Sequence, residues 1–216
     1  KVPEGSRALA GIGCHFMASW MERGTSGLIQ MGAEGVDWVA HSRFTKEKHV
    51  FQNLGDGTYF HSGLLAIRQA IAAGANITYK LLYNDAVAMT GGQPVDGSIS
   101  VPEIARQVEA EGARRVVIVS DEIDKYIGHH GEFPAGTTFH DRSEMDTVQR
   151  ELRDVPREFE DDLETSAVIL TGSAKAFSAG FDLKDADGRA RDGLPLGERI
   201  HRQRLGPKMC KAWQDM

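Results

Sequence analysis

Residues 50–93, VFQNLGDGTYFHSGLLAIRQAIAAGANITYKLLYNDAVAMTGGQ, constrain the architecture more than any other stretch. An apolar run with Val50, Phe51 and Leu54 enters Gly55-Asp56-Gly57. Leu64, Leu65, Ile67, Ala70 and Ile71 then recur at helical spacing, and the β-prone run Ile77–Tyr83 ends at Asn84-Asp85. The order is strand, acidic glycine turn, helix, strand, polar turn. Parallel strands joined by a right-handed helical crossover bring their ends to one edge of the sheet, where ligands bind in such folds. Asp56 and Asn84-Asp85 are therefore expected side by side.

That juxtaposition suits a hard divalent cation such as Mg²⁺, which takes carboxylate, amide and backbone oxygens and commonly shares its shell with phosphate. Asp56 supplies charge, and Asn84 or Asp85 a second oxygen. Glycines on each side let backbone approach a bulky anion, and the helix start after Gly57 offers unpaired N–H groups to phosphate. The competing reading is an ordinary strand-turn-helix with Asp56 as a cap. The second polar turn, at the end of the next strand, favours a metal-held diphosphate.

Gly55-Asp56-Gly57 followed by Asn84-Asp85 resembles the thiamine diphosphate motif. The surrounding words, GDGTYFHSGLLAIRQ and ITYKLLYNDAVAMTGGQP, resemble one family more closely: the indolepyruvate (arylpyruvate) ferredoxin oxidoreductases, within the wider 2-oxoacid:ferredoxin oxidoreductases. The resemblance covers residues 1–156. It implies thiamine diphosphate and Mg²⁺ as cofactors, oxidative decarboxylation of a 2-oxoacid, CoA as acceptor, ferredoxin as electron partner and further subunits or domains. By the same resemblance the metal is held by Asp56, by Asn84 or Asp85, and by the carbonyl of Val87. The resemblance also implies that Gly13, Cys14, His15, Gly55, Gly57, Thr58, Thr90 and Gly91 line the cofactor. The Asn-Asp pair departs from the common double-Asn form, which leaves open whether Asn84 or Asp85 takes the metal.

Upstream, residues 8–12 read as a short buried strand ending in the turn GIGCH, with Cys14 and His15. A lone Cys of this kind is usually a small buried residue. In the 2-oxoacid:ferredoxin family such a turn lies beside the thiamine site, and its Cys joins an upstream CxxC in holding an iron–sulfur cluster. No CxxC occurs here, so Cys14 would ligate a [4Fe–4S] cluster only with ligands absent from this chain. The first residue is Lys1, and a missing beginning is expected. Two further residues are candidates for catalysis: Glu34, in the glycine turn MGAEG, and His61, one turn past Asp56. A loop Glu is more often solvated, and a His near a helix start more often caps or packs.

Residues 101–112 read as an amphipathic helix with Val101, Ile104, Ala105 and Val108 inward, and Arg115–Ser120 as a continuous apolar strand of a parallel sheet. A short helix over 121–126, a strand over 137–140 and a helix over 143–152 follow, the last capped by Ser143 with Thr147, Val148 and Leu152 inward. His129-His130 point apart in a Gly-rich loop and read as solvated rather than metal-binding.

From residue 157 the pattern changes. An acidic stretch, REFEDDLE, precedes the strand SAVILT and then GSAKAFSAGFDLKD, which resembles the FSAGxDL loop of the crotonase (enoyl-CoA hydratase/isomerase) superfamily. There the backbone at Ala179, Gly180 and Phe181 would face a thioester and give half an oxyanion hole. The turn that gives the other half is missing before Met216. The expected fold is thus α/β: a parallel-sheet thiamine diphosphate-binding domain over 1–156, then a partial crotonase-like α/β segment over 157–216. A crotonase-type acyl-CoA activity and an inactive joined fragment are the rival readings. The first domain is expected to lack closing strands.

A net charge of −6 argues against nucleic acid or an anionic membrane as partner. No run approaches a transmembrane length and no signal peptide is visible. Two cysteines, Cys14 and Cys210, make no disulfide framework, so a cytoplasmic location is expected.

Overall fold

The computed structural model describes residues 1–84, 97, 99–154 and 165–171. They form an α/β fold on one seven-stranded sheet: β1 (Ala8–Leu9), β2 (Thr25–Ser26), β3 (Val50–Gly55), β4 (Ile77–Tyr83), β5 (Arg115–Ser120), β6 (Thr138–Asp141) and β7 (Thr165–Thr171). Spatial order is β2-β1-β3-β4-β7-β5-β6, and every neighbouring pair runs parallel. Strands covered on both faces tend to read as apolar runs; β5 does so, and β3 does so apart from Gln52 and Asn53. Val50 to Asn53 and Val116 to Ser120 are buried at each position.

Alternation sorts β4 into two faces. Ile77, Tyr79 and Leu81 enter the main core with Trp38, Ile67 and Ile104 from the helices. Those helices are α1 (Val36–His41), α2 (Asp56–Thr58), α3 (Leu64–Ala72) and α4 (Val101–Ala110). The opposite face packs Leu82, Val117 and Val119 against Val148 and Leu152 of α5 (Met145–Arg153). Between α2 and α3 the helix widens to a π turn, Tyr59–Gly63. Ala66, Ile67 and Ala70 face the core, whereas Leu65, expected inward, is 60% exposed. Leu65 stands two positions before Ile67 in the same helix and so on its opposite side, where apolar character alone does not bring it inward.

Three local expectations are corrected. β1 has two residues rather than five, because the chain leaves the sheet at the turn that bears Cys14. Asp141, not Ser143, caps the helical segment that leads into α5, accepting from Ser143 N at 2.8 Å in a capping box with Glu144. Within α5 it is Gln149 that is buried with Val148 and Leu152, and Thr147 is exposed.

The largest difference concerns β7. It comes from the segment read as crotonase-like, yet it lies between β4 and β5, in register from Ile77↔Thr165 to Tyr83↔Thr171 on one side and from Arg115↔Ser166 to Ser120↔Thr171 on the other. Ile169 is fully buried in the main core, and the Thr171 hydroxyl donates to Ser120 Oγ at 2.6 Å. The missing closing strand is therefore present. No helix among the described residues is long and apolar enough to cross a membrane.

Candidate functional site

The ends of β3 and β4 meet as expected. Asp56, 8% exposed, accepts a hydrogen bond from Gly57 N on Oδ1 and from Asn84 N on Oδ2, each at 2.8 Å. One carboxylate thereby fixes both strand ends. A carboxylate carries about four lone-pair sites, so the same group can take part in more than these two bonds. Thr58, buried in the next turn, directs its hydroxyl at the Ile12 carbonyl, 3.5 Å away, and so ties the acidic turn to GIGCH.

That second turn closes around His15. A Cβ on Gly11 would lie 2.8 Å from His15 Nε2 and 2.3 Å from the Asn53 carbonyl oxygen, and one on Gly13 would lie 2.7 Å from His15 Cε1. Gly13 has φ 147° and ψ −179°, a backbone that side-chain-bearing residues rarely adopt. A Cβ on Gly55 would stand 3.5 Å from His15 Cε1, so the ring abuts the residue before Asp56. Desolvation, reinforced by the charge of Lys80, lowers the His15 pKa to about 4, and the imidazole is neutral at pH 7. Its Nε2 is buried without a hydrogen-bond partner. Cys14, beside it, is half-buried.

Glu34, read as a loop carboxylate, is fully buried. It accepts from Gly32 N at 2.7 Å and from Ile12 N at 3.4 Å, and its own carbonyl accepts from the Tyr79 hydroxyl at 3.0 Å. These bonds brace the MGAEG turn against the GIGCH turn. His61 lies exposed on the π turn with Nδ1 2.8 Å from Ser62 Oγ, and Ser62 packs on Gly32. His61 thus pairs with its neighbour Ser62 rather than with Asp56.

Asp56, Asn84, Gly55, Gly57, Thr58, Gly13, Cys14, His15 and Glu34 thus gather around two turns at one sheet edge. Asp85, Val87, Thr90 and Gly91 lie outside the described residues, as do Ala179, Gly180 and Phe181. Sequence reasoning passed over Gln52, whose buried amide donates to the carbonyls of Leu9, Ala10 and Asn53 and so pins the end of β1 to β3. A polar residue inside the apolar run VFQNL was the available signal.

The donor set fits a hard cation with diphosphate. It offers oxygens rather than sulfur or imidazole clusters, and the glycines leave room for backbone to approach an anion. Among the described residues no group of three or more His, Cys, Asp or Glu converges on one point. A thiamine-type Mg²⁺ site, which completes its shell with amide, carbonyl and phosphate oxygens, needs no such group.

Residues 11–128 match the family described as thiamine pyrophosphate enzyme, C-terminal TPP binding domain. The chain is similar to the indolepyruvate oxidoreductase subunit IorA of Pyrococcus horikoshii, 33% identical over 76 residues that cover 31% of this chain and 12% of that protein. It is similar also to IorA of Pyrococcus abyssi, 35% identical over 80 residues, 34% of this chain and 12% of the relative. The matched stretch therefore spans only 12% of either relative's length.

Proposed function

The chain belongs to the thiamine pyrophosphate enzymes through their C-terminal TPP binding domain, and from that membership we propose that it binds Mg²⁺-thiamine diphosphate for oxidative decarboxylation of a 2-oxoacid. An arylpyruvate such as indolepyruvate is the substrate we favour, with CoA as acyl acceptor and ferredoxin as electron acceptor. The two relatives are named as indolepyruvate oxidoreductase subunits, and on that basis we assign this chain a place beside further polypeptide.

The observation that carries this reading is the Asp56 carboxylate bridging the ends of two parallel strands through Gly57 N and Asn84 N. Asp56 would hold the cation, with a side-chain oxygen of Asn84 or Asp85 and the carbonyl of Val87 completing the protein's share. Gly55 and Gly57 keep Cβ atoms out of the diphosphate's path. Glu34 fixes the neighbouring turn by its bonds to Gly32 and Ile12, so its role is to position rather than to move protons. Cys14 could join an iron–sulfur cluster only with sulfurs from elsewhere. When bound, thiamine diphosphate supplies a carbon nucleophile and an electron sink for loss of CO₂.

Calorimetric titration with thiamine diphosphate, with and without Mg²⁺, tests the proposal. Saturable, Mg²⁺-dependent heat is expected from the wild type and none from Asp56→Ala of unchanged far-UV circular dichroism. A silent wild type would overturn it.

A further inference from the structure

Lys80, in the middle of β4, is 8% exposed, and among the described residues its Nζ meets no hydrogen-bond acceptor and no carboxylate. It rests 5.6 Å from the centre of the Phe51 ring. His15 Nε2 is sealed from solvent and also without a partner. The sheet brings these two groups to one place. Lys80 pairs with Asn53 across the β3–β4 ladder, and paired residues of a sheet point to the same face. The Asn53 carbonyl and His15 Nε2 both adjoin Gly11, where a Cβ would stand 2.3 Å from the oxygen and 2.8 Å from the nitrogen. The charge of Lys80 reaches the ring, since after desolvation it is the second cause of the lowered His15 pKa. An ammonium has three donors, and a neutral imidazole has one acceptor nitrogen. Buried polar groups without direct partners are bridged by water where two to four polar atoms converge. Lys80 Nζ, His15 Nε2 and the Asn53 carbonyl make such a set.

We propose that Lys80 is a positioning residue for His15, its ammonium donating to a water that in turn donates to His15 Nε2 and to the Asn53 carbonyl. The ring proton is thereby fixed on Nδ1, and the GIGCH turn is held against the end of β3. A buried ammonium without a counter-charge costs stability that a hydrocarbon in its place would not. Such a cost is characteristic of residues retained for a site rather than for the fold. The use of the dyad rests on the thiamine diphosphate reading, because the turn it orders is the one beside Asp56; the dyad itself does not.

Long-range ¹H–¹⁵N spectra of the histidine-labelled full chain, with the His15 signals assigned from His15→Gln, provide the test. The expected wild-type ring is Nδ1-protonated, and its Nε2 resonance moves as pH rises through about 8, where Lys80 loses its charge. Lys80→Met should mix the two tautomers and abolish that step. Lys80→Gln, which keeps an N–H donor without charge, should keep the tautomer and lose only the step. The amino group of Lys1 also lies in the field of Lys80, and both variants retain it as a control. In calorimetry Lys80→Met should bind Mg²⁺-thiamine diphosphate about fivefold more weakly, and Lys80→Gln as the wild type does. A wild-type ring protonated on Nε2, or His15 spectra unchanged in Lys80→Met, would overturn the dyad. Equal affinities of wild type and Lys80→Met, with heat that Asp56→Ala abolishes, would overturn its positioning role and leave the cofactor reading standing. Absence of that heat in the wild type would overturn the cofactor reading, and the spectra would still decide the dyad.

Discussion

Burial strips water from the ammonium of Lys80, which lies within β4, 8% exposed, with Nζ 5.6 Å from the centre of the Phe51 ring. Desolvation lowers its pKa from 10.5 to about 8. Below pH 8 both the folded and the unfolded chain carry the proton, and the folded state bears the full penalty of a buried charge. Between pH 8 and 10.5 the unfolded chain binds more protons, so stability climbs as pH rises through this window. Lys80→Met, which keeps the length of the side chain and removes the charge, should stabilise the protein at pH 7 by about 2 kcal/mol, after allowing for the lost contact with the Phe51 ring. The climb above pH 8 should also disappear. Urea unfolding at pH 7, 9 and 10.5 checks both outcomes. At this scale the sequence was informative where chain geometry forces an encounter. Asp56 and Asn84 meet because a right-handed crossover leaves them no other arrangement. Glu34 was opaque, since the N–H groups that bury it belong to Gly32 and to the remote Ile12, and no local periodicity records such a pairing.

Among the elements, α4 shows how much can be legible. Its four inward residues follow from helical spacing, and it closes at Ala110, two residues short of the expected end at Gly112. The structure adds a full capping box: Ser100 Oγ accepts from Glu103 N at 3.4 Å, and the Glu103 carboxylate accepts from Ser100 N at 2.8 Å. Ser100→Ala should cost about 1 kcal/mol and lower Tm by about 2–4 °C, read by calorimetry, without altering cofactor affinity. The helical segment after Asp56 was less legible, because the π turn within it has no composition of its own and Leu65, apolar like its neighbours, falls on the outer side of α3. β7 was visible as a strand, since SAVILT is β-branched and apolar, but its place was not. Similarity of the following residues to another family drew it into a separate segment. The physics of a parallel sheet, which needs a partner for each side of β4 and β5, places it between them.

For the whole molecule, β7 is the strand through which two half-sheets become one. A chain ended after residue 156 keeps β2-β1-β3-β4 and β5-β6 but loses the ladder on both sides of the junction. Such a chain should show no cooperative thermal transition and should be digested rapidly under limited proteolysis; a melt like that of the full chain would show β7 to be dispensable. Among the described residues the outermost strands are short, β2 of two residues and β6 of four, which limits their ability to template another chain. Because parallel neighbours in this sheet can be far apart in sequence, the order of synthesis also matters. On the ribosome the first 154 residues emerge before the strand that unites them, so each half must wait with one side of its ladder open. The nascent protein is therefore most dependent on chaperones in the interval just before residue 171 appears, and a translational pause there would be more harmful than one anywhere earlier in the message.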